Sequence, residues 1–208
     1  MSQPTTASPP NLSQRLDELR WDDHRYYHQS RINQTLHLIS AISFLVAYGL
    51  LFSDPALAGL VGWLVGMVTR QSGHIFYEPR GFDAIHNTTY EHKESIKVGY
   101  NMHRKGVLIA VWLSIPALLF LSPGLFGLMD ATAGFAHNLG MVWLMLGVGG
   151  LIFRTVHLFF LRSPAWGLAW ACKILTDPFH NIDIYWRSPI ALMRGQLLDP
   201  LEPDQAHA

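Results

Sequence analysis

The 208-residue sequence predicts an all-α integral membrane bundle of about four transmembrane helices, with both termini cytoplasmic and interfacial helices beside the spans. Three observations carry that prediction. Half of the residues are apolar and only 14% are charged, where a soluble domain carries about 25%. The apolar residues stand in blocks rather than in the 3.6-residue rhythm of a half-buried surface helix. Threaded through four spans, the chain puts all fifteen Lys and Arg residues on one side, the side on which positive residues are retained during insertion.

Residues 1–19 are rich in Pro, Ser and Thr and have no positive stretch running into an apolar core, so a disordered head is expected there and not a cleaved signal peptide. Residues 20–208 are expected to form a single membrane-embedded domain. Its spans fall at about 36–52, 56–72, 106–121 and 136–161, the shorter ones near the lower limit of the ~17 to 25 residues that a spanning helix needs. Ser53-Asp54-Pro55 joins the first two as an antiparallel hairpin, because proline cannot continue the preceding helix. Ser122-Pro123-Gly124 ends the third. A polar, histidine-rich cytoplasmic loop covers 73–105, and an interfacial segment covers 162–200. Short apolar runs also occur in buried soluble helices; the one-sided charge separates the two readings. Gly147, Gly149 and Gly150 read as helix-packing positions.

Basic and acidic residues balance at fifteen each, which leaves no field to hold nucleic acid. The single cysteine, Cys172, excludes an internal disulfide and any CxxC site. No GxSxG, glycine-rich phosphate loop or HExxH is present, so hydrolase, nucleotidase and zincin chemistry have no motif to rest on. Histidine is the outlier: there are eleven, and only His137 belongs to the outer half.

Imidazole and carboxylate are ordinary ligands of iron and zinc, so the inner face suits a metal site. His28 and His37 are nine residues apart and face opposite ways on a straight helix of 3.6 residues per turn. Sharing a cation therefore requires a bend between Gln29 and Asn33. His74 and Glu78 lie one turn apart just before Pro79; they share a metal, or the carboxylate orients the imidazole, or they form a surface hydrogen bond. In the loop His86 and His92 are secondary candidates. His92 and His103 return to nearly the same helix face, which fits an amphipathic cap over the site or a solvated helix, and His103 also fits a headgroup contact. Arg154 and His157 share a face of the fourth span, where ionisable residues are functional candidates. His180, with His157 a further candidate metal ligand, stands between Asp177 and Asp183, with Asp183 the expected partner because Pro178 disrupts the turn before; a helix cap with a satisfied histidine is the alternative.

These residues resemble a family, the iron(II)-dependent membrane 2-hydroxy fatty acid dioxygenases of fatty acid alpha-oxidation. The likeness lies in Tyr27-His28 followed by Asn33 and His37 where the chain enters a span, and in Gly73-His74 followed by Glu78 and Arg80 where it leaves another. It covers about the first 80 residues. The resemblance implies a non-haem Fe(II) site at His28, His37 and His74, with Glu78 as ligand or orienting partner, and a lipid substrate. The implied reaction oxidises a 2-hydroxy fatty acid with dioxygen to a chain one carbon shorter, at a bacterial inner membrane or, in a eukaryote, the endoplasmic reticulum. Arg80 or Arg31 is our own addition, as the partner of the substrate carboxylate. Two alternatives stand beside it. A di-iron lipid hydroxylase or desaturase would use more of the histidines, but its HxxxH and HxxHH clusters are missing. A non-enzymatic haem-binding, metal-binding or structural membrane protein could use His157 with His37 or His137 as axial ligands.

Overall fold

A computed structural model describes residues 10–83, 86–98 and 101–199. Among these residues the chain is all α, with two isolated antiparallel bridges and no strand. α1 (Leu12–Tyr27) opens on a reciprocal cap, in which the Asn11 side chain accepts from the Gln14 backbone N–H and the Gln14 side chain accepts from that of Asn11. Two of the four orphan donors of the first turn are thereby satisfied. The helix starts inside the stretch expected to be a disordered head, and residues 1–9 lie outside the described residues.

α2 (Arg31–Leu50) is joined by a tight turn to α3 (Pro55–Val61), where the Asp54 side chain caps the helix and proline takes its first position. α3 continues through a π-helical stretch, Gly62–Met67, into α4 (Val68–Phe76). The polar loop carries α5 (Tyr90–Ile96), followed by α6 (Met102–Leu121) and α7 (Phe135–Leu161). α8 (Pro164–Tyr185) and α9 (Ser188–Met193) complete the chain. Two details differ from the sequence reading. α5 ends at Ile96 and the backbone extends at Lys97, so His92 and His103 occupy separate helices and are both exposed. α8 runs through Pro178 without stopping.

α6 and α7 are each long and apolar enough to cross a membrane. The surface inverts the rule for soluble proteins: Phe120, Leu113, Phe153 and Phe160 are exposed, while Asn33, Gln34, His37, Ser40, Asn138 and Asp177 are buried. Exposed apolar area of that kind marks contact with lipid or a partner.

Polar interiors pack by close approach. A Cβ added to Gly59 of α3 would collide with the Gly140 carbonyl of α7, and one added to Gly140 would collide with the Ala56 carbonyl. Beside this crossing Trp63 stacks on Trp112 and donates its indole N–H to the Trp143 carbonyl at 2.6 Å. The packing glycines expected at Gly147 and Gly149 do not close a helix pair: Gly147 makes ordinary contact with Trp63, and Gly149 faces open space. Gly140→Val is therefore expected to force α3 from α7 at a cost of about 1 to 3 kcal/mol, read as a lower midpoint of thermal unfolding in detergent. Gly149→Ala should leave that midpoint unchanged or slightly higher, and an equal loss in both variants would contradict this packing.

Candidate metal centre

The break between α1 and α2 brings His28 and His37 together. α1 ends at Tyr27 with its last carbonyls lacking helical partners, and amides from the first turn of α2 supply them. Asn33 Nδ2 donates to the Tyr27 carbonyl at 2.8 Å, and Gln34 Nε2 donates to that of His28 at 2.7 Å. Ser30 caps α2 by accepting from the Asn33 backbone N–H. The C-terminal strap closes the break from outside: the Arg31 N–H donates to the Leu197 carbonyl, the Asp199 N–H donates to that of Gln29, and the Arg31 and Gln34 side chains both hold the Asp199 carboxylate. The bend falls at His28 to Ser30, at the near edge of the window that helical geometry required.

With the chain bent, the Nε2 atoms of His28 and His37 lie 3.1 Å apart. His74, from the last turn of α4, completes a triangle with ring centroids 4.1, 5.1 and 4.9 Å apart. All three side chains are buried, and their ligand nitrogens lie within 4.8 Å of one another. Among the described residues this is the group of His, Cys, Asp or Glu that closes to metal-holding distance. Gly73 permits it, since a Cβ there would collide with Asn33 Oδ1 and touch the His37 ring.

A carboxylate fixes the proton of one of the three. His74 Nδ1 donates to Glu78 Oε2 at 2.8 Å, which leaves the Nε2 lone pair free. Asp23 Oδ2 lies 3.7 Å from His28 Nδ1, beyond hydrogen-bond reach, and acts on that ring through its charge. Burial pushes His28 down to about 3 against the opposing pull of Asp23. Burial, with Lys105 next, holds His74 well below the usual imidazole range. Both are neutral near pH 7, the form that binds cations. Burial raises the Glu78 carboxyl, opposed by Lys97, whose Nζ lies 3.1 Å away. Burial alone would raise Asp23 too, but Lys173, 3.0 Å away, leads the charges that hold it well below the usual carboxylate range.

No family model, curated protein or solved structure matches this chain. The residues themselves fit a cation. Two imidazole nitrogens bound about 2.1 Å from one ion stand roughly 3.0 to 3.4 Å apart, and the separation of His28 and His37 falls inside that interval. A triad of imidazoles, one with its N–H held by a carboxylate, suits iron, zinc, copper or nickel.

The remaining sequence candidates lie elsewhere. His157 is engaged by Arg154 at 3.1 Å, and Arg154 also donates to the Val98 carbonyl, so this pair ties α7 to the loop. His180 is half-buried on α8 and outside the cluster; Asp177, its neighbour, is drawn to Lys173 at 2.6 Å, and Asp183 is exposed. His86 bonds Asp83 at 3.0 Å, and the backbone N–H of His92 is capped by Thr89 on an exposed turn. Arg80 is exposed and donates to the Ile75 carbonyl, while Arg31 is taken by Asp199. These side chains were picked out by depth or spacing, and neither reports which face of a helix meets the trio. Sequence reasoning missed Asp23 and Lys97, which sit in polar runs like those of any solvated helix.

Gly73→Ala is expected to weaken metal affinity about tenfold or more, the range typical of disturbed ligand support, with helicity by circular dichroism retained. Gly81→Ala, at an open position, serves as control. Equal affinities in the two variants would contradict the proposed crowding at Asn33. Glu78→Gln should cost about 10- to 100-fold in affinity by loosening His74, and a wild-type dissociation constant would remove Glu78 from the site.

Proposed function

We propose that this protein is a membrane-bound non-haem iron(II) oxygenase that shortens a 2-hydroxy fatty acid by one carbon. The observation that carries the reading is the buried triad of His28, His37 and His74, braced by Glu78 and Asp23 at one end of an apolar-surfaced bundle. The resemblance in the first 80 residues supplies the choice of iron and of substrate.

In this reading the bundle has four spans and the triad lies at its cytoplasmic edge. α2 supports that arrangement by turning Ile39, Ile42 and Val46 outward while its polar residues face in. The unbroken helical run from Pro55 to Phe76 is about 33 Å long at 1.5 Å per residue, enough for a hydrocarbon core of about 30 Å. Neither outer connection carries Lys or Arg. A di-iron centre would need a second cluster, and among the described residues one group of three closes. His157, which a haem reading would pair with His37 or His137, is engaged by Arg154 at 3.1 Å.

When bound, iron(II) supplies adjacent open positions for the hydroxy acid and for dioxygen. The chain keeps its imidazoles deprotonated and aimed, excludes bulk water by burying them, and leaves the acyl tail among the apolar outer faces. The stoichiometry closes with dioxygen alone: the C1–C2 bond breaks, C2 becomes the new carboxyl carbon, and C1 leaves as carbon dioxide with one water. The four electrons released reduce one dioxygen.

Protein purified in detergent and loaded anaerobically should retain about one Fe(II) per chain. With 2-hydroxyhexadecanoic acid it should consume one dioxygen per pentadecanoic acid formed. His28→Ala, His37→Ala and His74→Ala should each lower turnover at least about 100-fold and release the metal. Unchanged iron content in all three would remove the site, and retained metal without oxygen uptake would refute the oxygenase reading.

A further inference from the structure

Beside the triad lies a cavity of about 130 Å³ to which His74 contributes one wall. Four cations line it, and three are already balanced. Arg70 reaches Asp177 at 3.4 Å, Lys173 bridges Asp23 and Asp177 at 3.0 and 2.6 Å, and Lys97 bridges Glu78 and Glu94 at 3.1 and 2.9 Å. Lys105 is different. It is only 6% exposed, yet among the described residues no carboxylate lies within ion-pair distance of its Nζ and no acceptor within hydrogen-bond distance. Burial lowers the Lys105 ammonium to about 7, so it is only partly charged near neutral pH, and an anion placed beside it would restore the full charge. Gln71 also borders the cavity, and its Oε1 is buried without a hydrogen-bond partner.

Part of the lining is apolar. Leu19 and Trp170 belong to a core cluster on which Val98 and Ile174 pack, and all four border the cavity. The carboxylates of Asp22 and Asp23 border it too; Asp23 is bridged by Lys173 and Asp22 is held by Arg25 at 2.6 Å, which leaves Lys105 as the lysine without a partner among the described residues. An unpaired lysine and hydrocarbon in one cavity beside the triad match an acid with an alkyl chain.

We propose that Lys105 holds the carboxylate of the acid substrate in this cavity, with the apolar lining of Leu19 and Trp170 taking the first carbons of its chain. This rests on the oxygenase reading and adds to it the residue that selects a free acid. It replaces Arg31 and Arg80 in that role, since both are engaged away from the cavity.

The test uses the full chain in neutral detergent, loaded with Fe(II) under nitrogen, and measures equilibrium binding of 2-hydroxyhexadecanoic acid, its methyl ester and phosphatidic acid. Wild type should bind the acid at least about tenfold more tightly than the ester, as expected when a charged hydrogen bond is lost. In Lys105→Met that preference should fall below about threefold with iron content unchanged, and Lys105→Arg should restore most of it. A Lys105→Met variant that keeps the acid preference overturns the proposal while leaving the oxygenase reading intact. Displacement of the acid by phosphatidic acid at equal affinity also overturns it, because the cavity would then be a lipid-headgroup site. Wild type that binds the ester as tightly as the acid rejects Lys105 without any variant. Failure of wild type to bind the acid at all removes the substrate class proposed above as well.

Discussion

The interaction on which the rest depends is the outward pull on the imidazole protons. For histidines to present lone pairs to one point inside a protein, their N–H groups must be held facing away from it; Glu78 does this for His74 through a hydrogen bond, and Asp23 sets a negative charge 3.7 Å from His28 Nδ1. Buried carboxylates need cations in turn. Lys173 and Lys97 meet them, and these lysines bring in Asp177 and Glu94, with Arg70 and Arg20 closing on Asp177. The network grown from these two histidines therefore joins α1, α4, α5 and α8, and it explains why so much charge lies inside.

Such an interior is sustainable because the exterior is not competing for the same role. In lipid, apolar side chains gain little by turning inward, so association rests on close backbone contact and on polar bonds between helices. Gly59 and Gly140 supply the first at the α3–α7 crossing, and the triad network supplies the second at the other end of the molecule. The two devices divide the work. One end is packed for contact, while the polar end is left with a cavity.

How much of this was legible in the sequence depends on how local the determinant is. The break before α2 followed from a nine-residue spacing that no straight helix could reconcile, and the pairing of His74 with Glu78 followed from one turn of helix before a proline. Caps and hairpin were equally local, as Asp54-Pro55 shows. α1 begins at Leu12, within the Pro- and Ser-rich stretch whose composition argued for disorder, because Asn11 and Gln14 cap each other there. His157 and His180 looked like ligands because depth along a span was readable and azimuth was not. Lys105 drew no notice because its burial depends on α1 and α8, which are distant in sequence.

Three imidazoles, one at the cap of α1, one on α2 and one on α4, are proposed to bind one ion. X-ray absorption spectroscopy on the iron-loaded full chain tests this most directly, because multiple scattering counts imidazoles around the metal. Three are expected at about 2.1 Å, falling to two in a His37→Gln variant that still holds iron. A metal surrounded only by oxygen, or an imidazole count that the substitution does not alter, would contradict it.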